Sequence, residues 1–100
     1  MRSHSITSDA RGDILDALRW YEAQRAGLSD EFYAAFEARL TAIREAPDGY
    51  EPLGDGYRRA RLRRFPYAVV FEASRDRVVV YAVPHLHRSE KAWRRRLKPR

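Results

Sequence analysis

Residues 57–83 read YRRARLRRFPYAVVFEASRDRVVVYAV, and the period of their apolar residues decides the fold class. From Tyr57 onward Ala60 and Leu62 fall on one side of an extended chain and Arg59, Arg61 and Arg63 on the other, which is the two-residue period of a strand. This strand presents an arginine row. Pro66 punctuates it, and Tyr67 to Ala73 and Val78 to Val83 follow as two strands rich in valine and aromatic residues, joined by a polar hairpin at Ser74 to Arg77. Both are apolar on both faces, as central strands are, so each needs cover on two sides.

Upstream, Pro47, Gly49, Pro52, Gly54 and Gly56 mark a loop, and before it the period is helical. Ser8 is placed to cap a helix with Asp9 in its first turn and Ile14, Leu18 and Tyr21 on one face, Ala17 between them. Gly27 stands where a left-handed helix stop belongs, and Ser29 restarts a second helix with Asp30 and Glu31 in its first turn. Leu28 and Tyr33 occupy the two positions of a hydrophobic staple, while Phe32, Phe36, Leu40 and Ile43 recur at helical spacing. Two helices so closely joined form an antiparallel hairpin. Arg2 to Thr7 is a short, weak strand candidate. Downstream, Pro84 ends the last strand and Ser89 caps a short terminal helix carrying Trp93 and the run Arg94, Arg95 and Arg96. The order is strand, helix hairpin, three-strand meander, short helix, within one domain over residues 1–100. Tyr21, Phe36, Leu40 and Phe71 are expected in the core.

Charge is uneven along the chain. Residues 1–50 hold six Arg against nine Asp/Glu, whereas residues 51–100 hold 14 Lys/Arg against five. The basic half suggests a polyanionic partner, either nucleic acid or an acidic protein segment. GC-rich coding is the alternative origin of a chain in which 18 of 20 basic residues are Arg and Asn is absent, but specific anion binding is the preferred reading. With no cysteine, disulfides, thiolate nucleophiles and cysteine-ligated metal sites are excluded. The longest apolar stretch, Val78 to Val83, is far too short to span a bilayer, so a soluble, unprocessed cytoplasmic protein without a membrane partner is expected.

Three segments, ALRWYEAQRAGLSDEFYAAF (17–36), YRRARLRRFPYAVVFE (57–72) and YAVPHLHRSEKAW (81–93), together resemble the RelE/ParE toxin superfamily, in particular its ParE-type plasmid-stabilisation branch. The similarity runs over nearly the whole chain, in the right order and at the right separations, although no single segment is diagnostic. The resemblance implies a small α+β toxin, with the helix hairpin packed on one face of a mostly antiparallel sheet. It further implies neutralisation by a cognate antitoxin through an extended acidic or amphipathic segment. Two targets occur among such toxins: DNA gyrase, poisoned through a protein surface, and ribosome-bound mRNA, cut by RelE-type relatives without a metal.

The second activity needs a base, an acid and cations for the developing charge. Arginine supplies only the cation well, because its pKa above ~12 makes it a poor proton shuttle. An RNase would therefore rest on His85 and His87 for proton transfer, with Tyr81 a weaker candidate and Arg61 and Arg88 holding phosphate. The chain departs from the RelE pattern: its only lysines, Lys91 and Lys98, lie outside the arginine strand, and no tyrosine follows Arg88. Gyrase inhibition is accordingly the favoured function, without catalytic residues. Arg59, Arg61, Arg63, Arg88, Arg94 and Arg95 are the candidates for binding antitoxin or target. His85 is as readily a structural histidine bonded to backbone or Trp93, and His87 simply exposed. Aromatics at strand spacing such as Tyr57, Phe65 and Tyr67 belong more often to a core than to a base-stacking surface. Arginine runs like Arg94 to Arg96 usually form a solvated helix face. His4 has no ligand spacing to His85 or His87, so neither a metal site nor a cofactor is expected.

Overall fold

The computed structural model describes residues 1–99. Its elements are β1 (Ser3–Ile6), α1 (Ser8–Gln24), α2 (Leu28–Glu45), a 3₁₀ turn (Pro47–Gly49), β2 (Glu51–Gly54), β3 (Tyr57–Arg61), β4 (Ala68–Ala73), β5 (Arg77–Ala82) and α3 (Glu90–Arg94). The strands form one sheet in the order β1-β5-β4-β3-β2. Only the β1–β5 pair is parallel, and β2–β3, β3–β4 and β4–β5 are antiparallel. The expected architecture is therefore present, with the expected N-terminal strand as β1 and one further strand, β2, added to the meander.

The helix hairpin buries its apolar stripe on the sheet. Ile14, Ala17 and Tyr21 from α1 and Phe32, Phe36, Leu40 and Ile43 from α2 pack with Ala60, Val69, Phe71, Val78 and Val80. Tyr21, Phe36, Leu40 and Phe71 are all within this core, at 8%, 1%, 6% and 0% exposure. Phe71 and Val80 are register partners in β4 and β5, so the two central strands contribute facing side chains to one layer.

Local chemistry at the helix ends differs from the sequence expectation by one or two residues, α2 being capped at Gly27 and not at Ser29. Thr7, not Ser8, caps α1, its hydroxyl accepting from Ala10 N–H at 3.2 Å. α1 ends at Gln24 with Arg25 as its C-cap, and Gly27, with φ 87°, is the residue before α2 rather than the stop after α1. Leu28 is thus already helical, which moves the core contact to Phe32. Leu28 packs at the core margin while Tyr33 lies 41% exposed, so the expected staple is not made on the core. Glu22 closes the interhelix turn by accepting from Gly27 N–H, Ser29 N–H and Ser29 Oγ–H. Those three bonds hold its carboxyl below the usual range.

The segment expected as loop contains β2. Pro52 and Gly54 read as breakers, yet β2 is an edge strand, where a missing N–H costs no ladder bond. It turns into β3 through Asp55 and Gly56, both at positive φ (55° and 88°), the conformation of a tight two-residue hairpin turn. The second sheet face is covered in part by the chain itself. Trp93 of α3, 3% exposed, packs on Val70 and Ala82 with Leu53 and Leu97 at its margin. Part of the second-side cover that these doubly apolar strands need is thus supplied internally. No helix is long and apolar enough to cross a membrane among the described residues.

Candidate functional site

Alternation in β3 sends Ala60 and Leu62 into the core beneath the helices and turns Arg59 and Arg61 to the opposite face. The arginine row stops there. β3 ends at Arg61, and Arg63 instead borders a groove on α2 lined by Glu31, Ala35 and Arg39. Arg64 takes a left-handed φ of 70° and bonds Glu31 at 2.9 Å. The chain must turn sharply between β3 and β4, and that turn breaks the two-residue period.

The arginines divide by partner. Arg59, only 16% exposed in its side chain, spans Glu51 on β2 (2.7 Å) and Glu90 on α3 (3.0 Å). Glu51, and to a lesser degree Glu90, holds the guanidinium above its ordinary pKa, and Arg59 is the main cause of the lowered Glu51 carboxyl. Arg94 bonds Glu90 at 2.9 Å and lies over the Trp93 ring. Arg96 reaches back to α1, giving Asp13 two hydrogen bonds of 2.7 and 3.1 Å and the Tyr81 carbonyl one of 3.2 Å. The same Asp13 carboxylate accepts the Val83 N–H at 2.9 Å. Arg96 is thus a fixed strut rather than part of a solvated face, and sequence reasoning missed it because Asp13 lies 83 residues away. Arg61, Arg88 and Arg95 are exposed, and none forms an ion pair among the described residues.

The histidines belong to another place. After β5 the chain makes a single bridge between Tyr67 and His85, which sets the His85 ring edge-on to Tyr67 at 5.1 Å and 5.3 Å from the His87 ring. His85 Nδ1 accepts the His87 backbone N–H at 3.0 Å, so the neutral ring carries its proton on Nε2. Burial first, then His87 and Arg88, lower the His85 pKa below its ordinary value, which keeps the ring neutral at pH 7. The backbone contact expected of a structural histidine is made, with His87 and not with Trp93.

His85 and Arg88 border a cleft of about 560 Å³ between α1 and the entrance to β4, also lined by Asp16, Trp20, Tyr21 and Tyr67. Burial pushes both phenols above their ordinary pKa, and the charges of Asp13 and Asp16 add to this at Tyr67 against the opposing charge of Arg88. His85, His87 and Arg88 are therefore brought together, while Arg61 stands on the other side of the sheet. Trp20 and Asp16 went unnoticed in the sequence because both fall on the solvent side of a regular amphipathic helix.

Comparison with known proteins adds family-level similarity. Residues 5–91 match the family model described as the ParE toxin of the type II toxin–antitoxin system, parDE. The chain is 29% identical over 86 residues to Toxin ParE2 of Mycobacterium tuberculosis, in strains CDC 1551 / Oshkosh and ATCC 25618 / H37Rv, covering 85% of this chain and 79% of the relative. Its fold superposes with a TM-score of 0.75 on a chain of the chromosomal ParDE TA system from P. aeruginosa, at 14% identity over 87% of this chain and 98% of that one.

Proposed function

The chain belongs to the ParE toxin family and is a ParE-type toxin of a type II toxin–antitoxin module, and from that premise we propose that it arrests growth by inhibiting DNA gyrase through a protein surface and is neutralised by a cognate antitoxin in the cytoplasm. The observation that carries the target is the separation of Arg61 from His85. RNA cleavage through a 2′-hydroxyl needs proton transfer and phosphate cations within reach of the same atoms. Here the strand cation Arg61 lies on the face of Arg59 and α3, whereas His85 lies beside Tyr21 and Tyr67 on the helix side. A protein inhibitor needs no such convergence. Residues 1–100 act in this proposal as one toxin domain, with no cofactor. Arg61, Arg63, Arg88 and Arg95 offer their charge to antitoxin or target, while Arg59 and Arg94 are already held by carboxylates of the chain.

The clustering of His85, His87 and Arg88 favours the second reading, a ribosome-dependent mRNA endoribonuclease. One comparison separates them. Purified toxin at saturation is expected to abolish gyrase supercoiling, and His85→Gln to leave most of that inhibition, because no proton is moved. For an RNase, His85→Gln would lower cleavage of ribosome-bound mRNA by something like 10²–10⁴-fold, the usual contribution of a general acid or base. Toxin-dependent cuts in that mRNA with supercoiling unaffected would overturn the gyrase assignment.

A further inference from the structure

The cleft beside α1 carries more unsatisfied chemistry than packing requires. Its volume of about 560 Å³ lies within the range of small-ligand sites. Tyr21 and Tyr67 are buried beneath it, while Trp20 stands at its edge with 56% exposure. A tryptophan so exposed, in a helix whose core stripe is complete without it, is available to a ligand.

Asp13, at the back of the cleft, is taken up by Arg96 and the Val83 N–H, but other polar groups around these rings are uncommitted. Arg88 has no ion pair, and neither the Tyr21 nor the Tyr67 hydroxyl is hydrogen-bonded among the described residues. Asp16 has, among the described residues, only a 3.9 Å ion pair with Arg19, both side chains being 76% exposed. His85 spends Nδ1 on the His87 backbone and keeps Nε2–H as a donor. One cleft therefore combines aromatic surface, a guanidinium and an imidazole N–H for an anion, and a carboxylate for N–H donors. We infer that it holds a single unpaired nucleotide of a nucleic-acid strand, its base stacked on Trp20, its donor edge on Asp16 and its phosphate at Arg88.

The carboxylate decides between ligands. An acidic peptide, which the free arginines elsewhere would suit, is opposed here by Asp16. A nucleotide brings both an anion and N–H donors. Guanine fits best, because its adjacent ring and exocyclic N–H groups match the two oxygens of a carboxylate, which only accepts hydrogen bonds when ionised. Base stacking on an aromatic side chain requires the base to be out of a duplex. This inference goes beyond the target assignment and does not rest on it, since the strand is DNA at gyrase or mRNA at the ribosome. It is a binding site, with no bond made or broken.

Tryptophan fluorescence tests it, because of the two tryptophans only Trp20 is accessible while Trp93 is 3% exposed. Titration of the purified chain with 5′-GMP is expected to give saturable quenching that Trp20→Phe removes. 5′-CMP is expected to bind on the order of 10-fold more weakly, the discrimination typical of a good bidentate base contact. Asp16→Ala should erase that preference, and Arg88→Ala should weaken both nucleotides by about 10-fold, as loss of a charged hydrogen-bond partner does. Both residues are exposed, so circular dichroism and melting should match the parent. Trinucleotides with a central guanosine, in ribo and deoxy forms, then identify the strand: tighter binding of either form supports the site and names its source. The proposal is overturned by absence of saturable quenching with millimolar GMP in the folded protein, or by GMP affinity untouched by both substitutions. Quenching by a glutamate-rich peptide but not by GMP would overturn it in favour of a protein ligand.

Discussion

Replacing Asp13 by Ala should destabilise the fold more than any other exchange on the outer half of α1. Its carboxylate, 16% exposed, joins three parts of the chain: α1, the end of β5 through Val83 N–H, and the segment after α3 through Arg96. Val83 is 1% exposed, so its N–H would lose its acceptor with little access to water, at a cost of about 1–3 kcal/mol. Arg96 is a quarter exposed and keeps the Tyr81 carbonyl. Solvent therefore screens the lost ion pair, whose contribution is discounted to about 1 kcal/mol. Together these give about 2–4 kcal/mol, or a fall in melting temperature of roughly 10–30 °C for a domain of this size. Asp13→Asn retains an acceptor for Val83 and should lose about half as much, while Arg96→Ala should lose only the roughly 1 kcal/mol of the screened pair. Urea and thermal melts of the three variants measure this order. Asp13→Ala melting within about 3 °C of the parent, or Arg96→Ala costing as much as Asp13→Ala, would refute this role of Asp13.

Phe36→Ala and Leu40→Ala remove side chains buried between α2 and the sheet and should each cost about 2–5 kcal/mol in the same melts; an unchanged midpoint for either would mean that the hairpin packs through another face. Reversing Arg61 and Arg63 to Glu should sharply weaken binding of the cognate antitoxin tail, with parent affinity falling as salt rises. Calorimetry showing equal affinity for the folded double variant would remove these arginines from the interface.

Much of the fold was legible because its signals are local. The 3.6-residue spacing of Ile14, Ala17 and Tyr21 and of Phe32, Phe36, Leu40 and Ile43 places the helix hairpin, and the valine-rich runs place β4 and β5. Ser89 reads as a cap and is one, accepting from Lys91 N–H. What the pattern reads only weakly, as at β1, or misses, as at β2, is set by distant partners. β1 gains its place from parallel pairing with β5 some 74 residues on, as in Ser3 with Arg77, and β2 exists only because β3 offers it an edge. The register of the arginine row fails at Arg63 for a similar reason: the sharp turn into β4, not the local alternation, sets where that side chain lies.

The candidate site was less legible, because charge in a sequence does not reveal which charges are already neutralised. The excess of cations in residues 51–100 suggests one continuous basic surface, yet Arg59, Arg94 and Arg96 are taken up by Glu51, Glu90 and Asp13. These pairs join β2, β3, α1 and the C-terminal segment, so their loss acts first on the fold and only through it on a partner. A partner's carboxylates gain most from cations that lack such neighbours. The proposed recognition surface therefore excludes Arg59 and Arg94 and takes in Arg61 and Arg95 on the strand side and Arg88 at the mouth of the cleft. On this proposal antitoxin and target have distinct footholds, since Arg61 and the Trp20 cleft lie on opposite faces of one sheet and an acidic segment laid along the first leaves the second open.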